Sequence, residues 1–352
     1  MILGVIDSLS KGFNAISRHL WIILIPIFLD MFLWLGPQAS VEELVTGAFQ
    51  AVEQELTAVS AQDTELLGAF RDTLQEVIPQ YNSFSMLRVG MLGVPSLLIW
   101  GGARLGSPST YETLWVAFLG ITNMPDLLVT VSDADFLRFP VWQIKSEALW
   151  LLLSMGLTLI GIAVGCVFMT AISKSVIESQ ENFGFWQRTL KTASRFVLFW
   201  LVRLVVLIAL GIPFMLVFSV LSIFSLGLAA LFSTIVLGML TWLSFYLIFF
   251  IASLVINDIS IWQALWNSFN VVLRNFWSTL WLFVLINLIG GGMTILWQQL
   301  STGSWWTLLA IVGNAYVGTS LVAASLIFYQ DRYHRWRQAL AQVLSKSNKG
   351  MA

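Results

Sequence analysis

A chain of 352 residues that is 58% hydrophobic and only 11% charged departs from soluble domains, in which about a quarter of residues are charged. A net charge of −1 gives no basic balance for nucleic acid, and a single cysteine, Cys166, excludes an internal disulfide. With two histidines, His19 and His334, and no HExxH, P-loop or GxGxxG pattern, the sequence supplies nothing for haem, zinc or nucleotide chemistry, so no cofactor and no catalytic residue is expected.

The chain opens with an amphipathic helical pattern. Ile2, Ile6, Leu9, Phe13 and Ile16 share one face, and Arg18 ends it. An apolar run follows at once and predicts a first span over 20–36. About twenty residues precede this run and Asp30 interrupts it, so it reads as a retained anchor rather than a signal peptide.

Residues 37–146 differ in character. Val41, Leu44, Val45, Ala48, Phe49, Val52, Leu56 and Val59 fall at helical spacing, with Ser40 and Glu43 as a capping box. Leu66, Leu67, Phe70, Leu74 and Val77 make a second stripe that Pro79 stops. The pair predicts a helical hairpin outside the bilayer. Leu87–Ala103 and Leu114–Val131 are apolar but broken by Arg88, Asn123, Pro125 and Asp126. They read as interfacial or partly re-entrant segments rather than two further spans.

A membrane-spanning helix needs about 20 mostly apolar residues. Further spans are therefore expected at 147–170, 196–219, 227–255, 276–297 and 305–329, six in all. In the second, Ser154, Thr158, Gly161 and Gly165 form a stripe of small residues suited to helix contact. Between Phe196 and Val255 the only charged side chain is Arg203. A charge in hydrocarbon costs at least about 2.5–3.5 kcal/mol. At 1.5 Å per residue, Asp30 lies roughly 16 Å beyond His19 and Arg203 roughly 12 Å beyond Arg195. Similar depths predict an ion pair between the first and third spans. A polar site in a water-accessible cavity, or Arg203 snorkelling to the headgroups, are the competing readings. Asn287 and Asn314 are expected to hydrogen-bond across the last two spans. Gly290, Gly291 and Gly292 permit close packing, a kink or local unwinding. The tail, 331–352, is basic and amphipathic, with Leu340 and Leu344 on one face, and is expected to leave the last span along the membrane surface.

A repeat organises these elements. Leu9, Phe13, Asn14, Arg18 and Trp21 match Leu265, Phe269, Asn270, Arg274 and Trp277 at a constant offset of 256. A weaker copy runs from Trp186 to Trp200 with Arg195 in the arginine slot and Leu198 where the tryptophan should stand. Each copy predicts an interfacial amphipathic helix followed by a span, with arginine at headgroup level and tryptophan at the span's start. The expected fold is thus an all-α polytopic bundle of three parallel hairpin units. Its parts are the first helix and span (1–36), the outer insert (37–146), a five-span domain (147–330) and the tail. Residues Asn257–Trp277 resemble a recurrent segment of YciC-like polytopic proteins and of the membrane domain attached to some glycerophosphodiester phosphodiesterases. That resemblance implies an architecture and little chemistry.

Charge sorting sets the orientation. Residues 37–147 hold thirteen acids against five bases, while twelve of the 18 basic residues lie on the side carrying both ends. Lys and Arg near span ends stay cytoplasmic. Both termini are therefore expected in the cytoplasm of a bacterial-type plasma membrane, with 37–146 outside. The functional expectation is a non-catalytic accessory subunit or assembly factor, partnered by the bilayer, by other membrane-protein subunits or by anionic lipid. A transporter or lipid-handling permease with a polar site near Asp30 and Arg203 is the alternative.

Overall fold

The structure, a computed structural model, describes residues 2–56, 82–90, 93–97, 141–176, 184–300 and 305–349. It is 89% helical. In chain order the helices are α1 (Ile2–Arg18), α2 (Leu24–Leu35), α3 (Glu42–Leu56), α4 (Met86–Gly90), α5 (Glu147–Val176), α6 (Phe185–Phe224), α7 (Leu226–Tyr246), α8 (Phe250–Asn257), α9 (Ile261–Arg274), α10 (Phe276–Leu300) and α11 (Trp305–Lys349). Two three-residue strands, β1 (Gln38–Ser40) and β2 (Val141–Gln143), pair in parallel with Gln38 opposite Val141. The helical patterning gave no sign of them. They join the two ends of the insert, and Ala39, Val41 and Ile144 are buried beneath with Phe84 and Trp150 packed on them.

Among the described residues, five helices are long and apolar enough to cross a membrane: Glu147–Val176, Phe185–Phe224, Gly227–Asn257, Phe276–Met293 and Trp305–Gln342. A sixth span is reached only by counting the pair Gly4–Arg18 and Leu20–Leu35, bent by 90°, as one. The stretch expected as the first span, 20–36, is a 3-10 turn, Leu20–Ile23, leading into the 12-residue α2, and the bend falls before it.

The last helix is the axis of the molecule. On α11, Ala310, Ile311, Ala315, Leu321, Ala323, Ala324, Leu326, Phe328 and Tyr329 are buried, and α1, α2, α5, α8, α9 and α10 pack around it. Its 45 residues form one helix of about 67 Å. The tail therefore continues the last span as a helix and is not a separate element. Small residues let its neighbours approach. A Cβ on Gly12 of α1 would sit 2.6 Å from the Ala324 nitrogen and Ser320 oxygen, so α1 crosses α11 backbone to backbone there. Val5, Leu9 and Ile16 share that covered face, whereas Asp7, Lys11, Asn14 and Arg18 are exposed. Of the apolar stripe expected to lie on lipid, Leu9 and Ile16 are buried by protein and Phe13 is half-buried, while Ile6 stays exposed.

Two local expectations change. Ser40 Oγ accepts from the Glu42 amide at 3.2 Å, but Glu43, expected to complete the capping box, pairs with Lys145 at 3.1 Å. Helix α10 runs unbroken through Gly290, Gly291 and Gly292, with open space beside the latter two, so the glycines neither unwind it nor, at 291 and 292, pack against a neighbour. The second insert helix expected at 66–77 and the apolar segment at 114–131 lie outside the described residues.

Candidate functional site

Asp30 is on α2, wholly buried. Its carboxylate meets a non-helical segment, 93–97, every residue of which is buried. Ser96 Oγ donates to Oδ1 at 2.5 Å and the Leu97 amide donates to Oδ2 at 2.7 Å. Buried irregular backbone must find its hydrogen bonds within protein, and here Asp30 supplies acceptors. Two glycines make room for the segment. Gly93 has φ +79°, and a Cβ on it would fall 1.9 Å from the Met169 methyl of α5; a Cβ on Gly318 of α11 would fall 2.3 Å from Pro95 Cβ. Of the apolar stretch Leu87–Ala103, residues 87–90 and 93–97 are described; the remainder lies outside the described residues.

The Asp30–Arg203 pair is not formed. Arg203 is exposed on α6, and among the described residues it makes no hydrogen bond or ion pair. The depth argument placed both groups along the membrane normal but carried no information about which helices are neighbours. The Asn287–Asn314 hydrogen bond is also absent. Asn287 Nδ2 donates to Phe283 O of its own helix at 2.8 Å, and Asn314 is buried with Nδ2 unpartnered. The polar residues singled out in the sequence do not converge on one site.

A second cluster forms where α5, α6, α8 and α11 meet, near Asp258. Asp258 ends α8 in the left-handed region, φ 49° and ψ 42°, a conformation that Asn and Asp tolerate better than other side chains. Lys191 Nζ and Arg195 Nη1 from α6 both pair with its carboxylate, and Arg195 Nη2 also donates to its carbonyl at 3.2 Å. One turn earlier, Arg188 Nη2 donates to Val255 O at 2.9 Å and to Ile256 O at 3.3 Å. Three cations thus close the negative end of α8. Asn257 Nδ2 donates to the Tyr329 hydroxyl at 2.9 Å, which donates to Ser253 Oγ at 2.8 Å, tying the same end to the axial helix. Burial pushes the Asp258 carboxyl up, but hydrogen bonding and charge from Lys191 and Arg195 outweigh it and hold it below its ordinary value.

No protein-family model, curated protein or solved structure matches the chain.

The repeat arginines are resolved into two kinds. After Arg18 and after Arg274 the helix breaks. His19 (φ −131°, ψ 52°) and Asn275 (φ −124°, ψ 34°) leave helical geometry, and each turns its side chain back to the carbonyl four residues earlier. His19 Nδ1 lies 3.1 Å from Ala15 O, and Asn275 Nδ2 donates to Val271 O at 3.0 Å. Their amides donate to Ile16 O and Val272 O, at the same offset of 256. After Arg195 stands Phe196, buried and apolar, and α6 runs straight through. The middle copy therefore has no separate amphipathic helix. Arg274 lies over the Trp336 ring at 5.9 Å, while Arg18, Trp21 and Trp277 are exposed. Asp258 was missed as a site residue. The Asn-Asp pair at the end of an apolar run was its available signal, since such residues favour left-handed helix ends.

Proposed function

We propose that this chain is a non-catalytic membrane protein that acts as a structural subunit or assembly factor of a larger membrane complex. In this reading it sits in a bacterial-type plasma membrane with both termini cytoplasmic and 37–146 outside. The observation that supports it is local use of polar groups. Asp30 holds a buried non-helical segment, Asn287 bonds its own helix, and Asp258 closes a helix end. Each polar contact ties protein to protein rather than leaving an array aimed at a solute. The likeness of Asn257–Trp277 to YciC-like proteins belongs with this proposal. It fits a scaffold in which Asp258, Ser260 and Ser268 are fastened to backbone or to basic side chains.

A transporter or permease is the second reading, favoured by one observation. Buried non-helical backbone beside a buried carboxyl group also occurs where transporters bind ions. Purification from native membranes with mass spectrometry of what copurifies separates the two. A stoichiometric protein partner is the expected result. Bound solute or lipid without protein would count for transport.

A further inference from the structure

Residues 201–210 of α6 are exposed on every side. A helix packed along one face of a bundle buries a residue every three or four positions. Here nearly three turns bury none. The helix is nonetheless held at both ends. Thr189, Thr192 and Phe196 are buried below the bare stretch, and above it Phe214 stacks on Phe232 of α7 with ring centroids 5.5 Å apart. Most of the bare side chains suit lipid: Leu201, Val202, Leu204, Val205, Val206, Leu207, Ile208 and Leu210 are all apolar and exposed. Arg203 in their midst does not, for the cost of its charge in hydrocarbon is at least about 2.5–3.5 kcal/mol. Nothing among the described residues offsets that cost.

We propose that this stretch of α6 seats a transmembrane helix of a different membrane protein, carrying one carboxylate opposite Arg203. The inference rests on the subunit reading and names the chemistry of the partner. Charge complementarity selects the occupant, because a guanidinium and a carboxylate form two parallel hydrogen bonds that satisfy both groups away from water. A second copy of this chain is a poor fit. Residues 196–257 contain no Asp or Glu, Asp30 is already engaged by Ser96 and Leu97, and a two-fold contact on this face would bring the two copies' Arg203 side chains toward each other.

The test places a benzophenone amino acid at Val206 or Leu207, which share a face with Arg203, in the full-length chain in its native membranes. Irradiation is followed by mass spectrometry of the adducts. The expected result is one protein adduct, to a span containing Asp or Glu. Arg203→Leu lowers its yield by about tenfold or more, as loss of a buried charge pair should. Arg203→Glu does the same and is rescued by Arg at the partner's acid. Adducts to lipid alone, to a second copy of this chain, or to a span without an acid overturn the proposal, as does a yield indifferent to Arg203→Leu. If a partner copurifies but crosslinks only from other faces, this inference falls and the subunit reading stands. If no protein copurifies, both fall.

Discussion

At the scale of single residues, two carboxylates do different work. Asp30 is an acceptor for an amide and a hydroxyl that have left water. Asp30→Asn replaces one acceptor oxygen with a donor and sets it against a donor. The loss should be about 1–3 kcal/mol, the cost of a buried unsatisfied group. Arg203→Leu should leave the stability of the isolated chain within about 0.5 kcal/mol, because Arg203 is exposed. The double variant should then melt like Asp30→Asn alone when followed in detergent. Rescue by the second substitution would restore the ion pair that depth alone had suggested. Asp258 can be read through pH. Its carboxyl is held below its ordinary value in the folded chain, so its contribution is whole above the unfolded value of about 3.9 and is lost as pH falls through the folded value. The difference in melting temperature between wild type and Asp258→Asn should be flat above about pH 5 and shrink below about pH 4. A difference that instead grows on acidification would mean Lys191 and Arg195 do not hold this carboxylate.

At the scale of elements, glycine separates contact from bare surface. Gly12 lies against the backbone of α11, whereas Gly156 of α5 and Gly211 of α6 have nothing within 4 Å of a built Cβ. Gly12→Val should force α1 off the axial helix and cost about 1–3 kcal/mol or more. Gly156→Ala and Gly211→Ala should be neutral or stabilising by up to about 1 kcal/mol, since alanine is the better helix former. Thermal unfolding in detergent ranks the three, and an unaffected Gly12→Val would remove the α1–α11 crossing. The same elements show what the sequence could reveal. Helix starts and stops were legible because apolar periodicity and capping residues are local. The break after Arg274 falls where the pattern put it. The partners of each face were not legible, because an amphipathic stripe reads the same whether lipid or protein covers it. So α1 was expected on lipid and lies against α11. The middle copy of the repeat matched in arginine, yet a single following residue, Phe196 in place of His19 or Asn275, let the helix run on.

At the scale of the whole molecule, the number of crossings decides the orientation of the ends. Among the described residues five helices qualify alone, and the bent pair Gly4–Arg18 and Leu20–Leu35, taken as one span, makes six. The helical stretch 20–35 is about 24 Å long, short of a hydrocarbon core of about 30 Å, so it crosses only with help from the elements around it. That help is visible. Asp30 on this stretch is tied to segment 93–97, and Pro95 sits in the space left by Gly318 of the axial helix. An even count puts the start of α1 and the end of α11 on one side, and α3, which follows the first crossing, on the other. The charge distribution favours the same arrangement, with the acidic insert away from the basic ends. Single cysteines at Ser10, Gln50 and Arg337 in a Cys166→Ser background test it with a membrane-impermeant maleimide on intact cells. Ser10 and Arg337 are exposed on the cytoplasmic side in this arrangement and should label only after lysis, whereas Gln50 should label before it. If Ser10 and Gln50 instead label together from outside, the first crossing does not exist, five spans remain, and Asp30 sits in a helix that enters the membrane and returns.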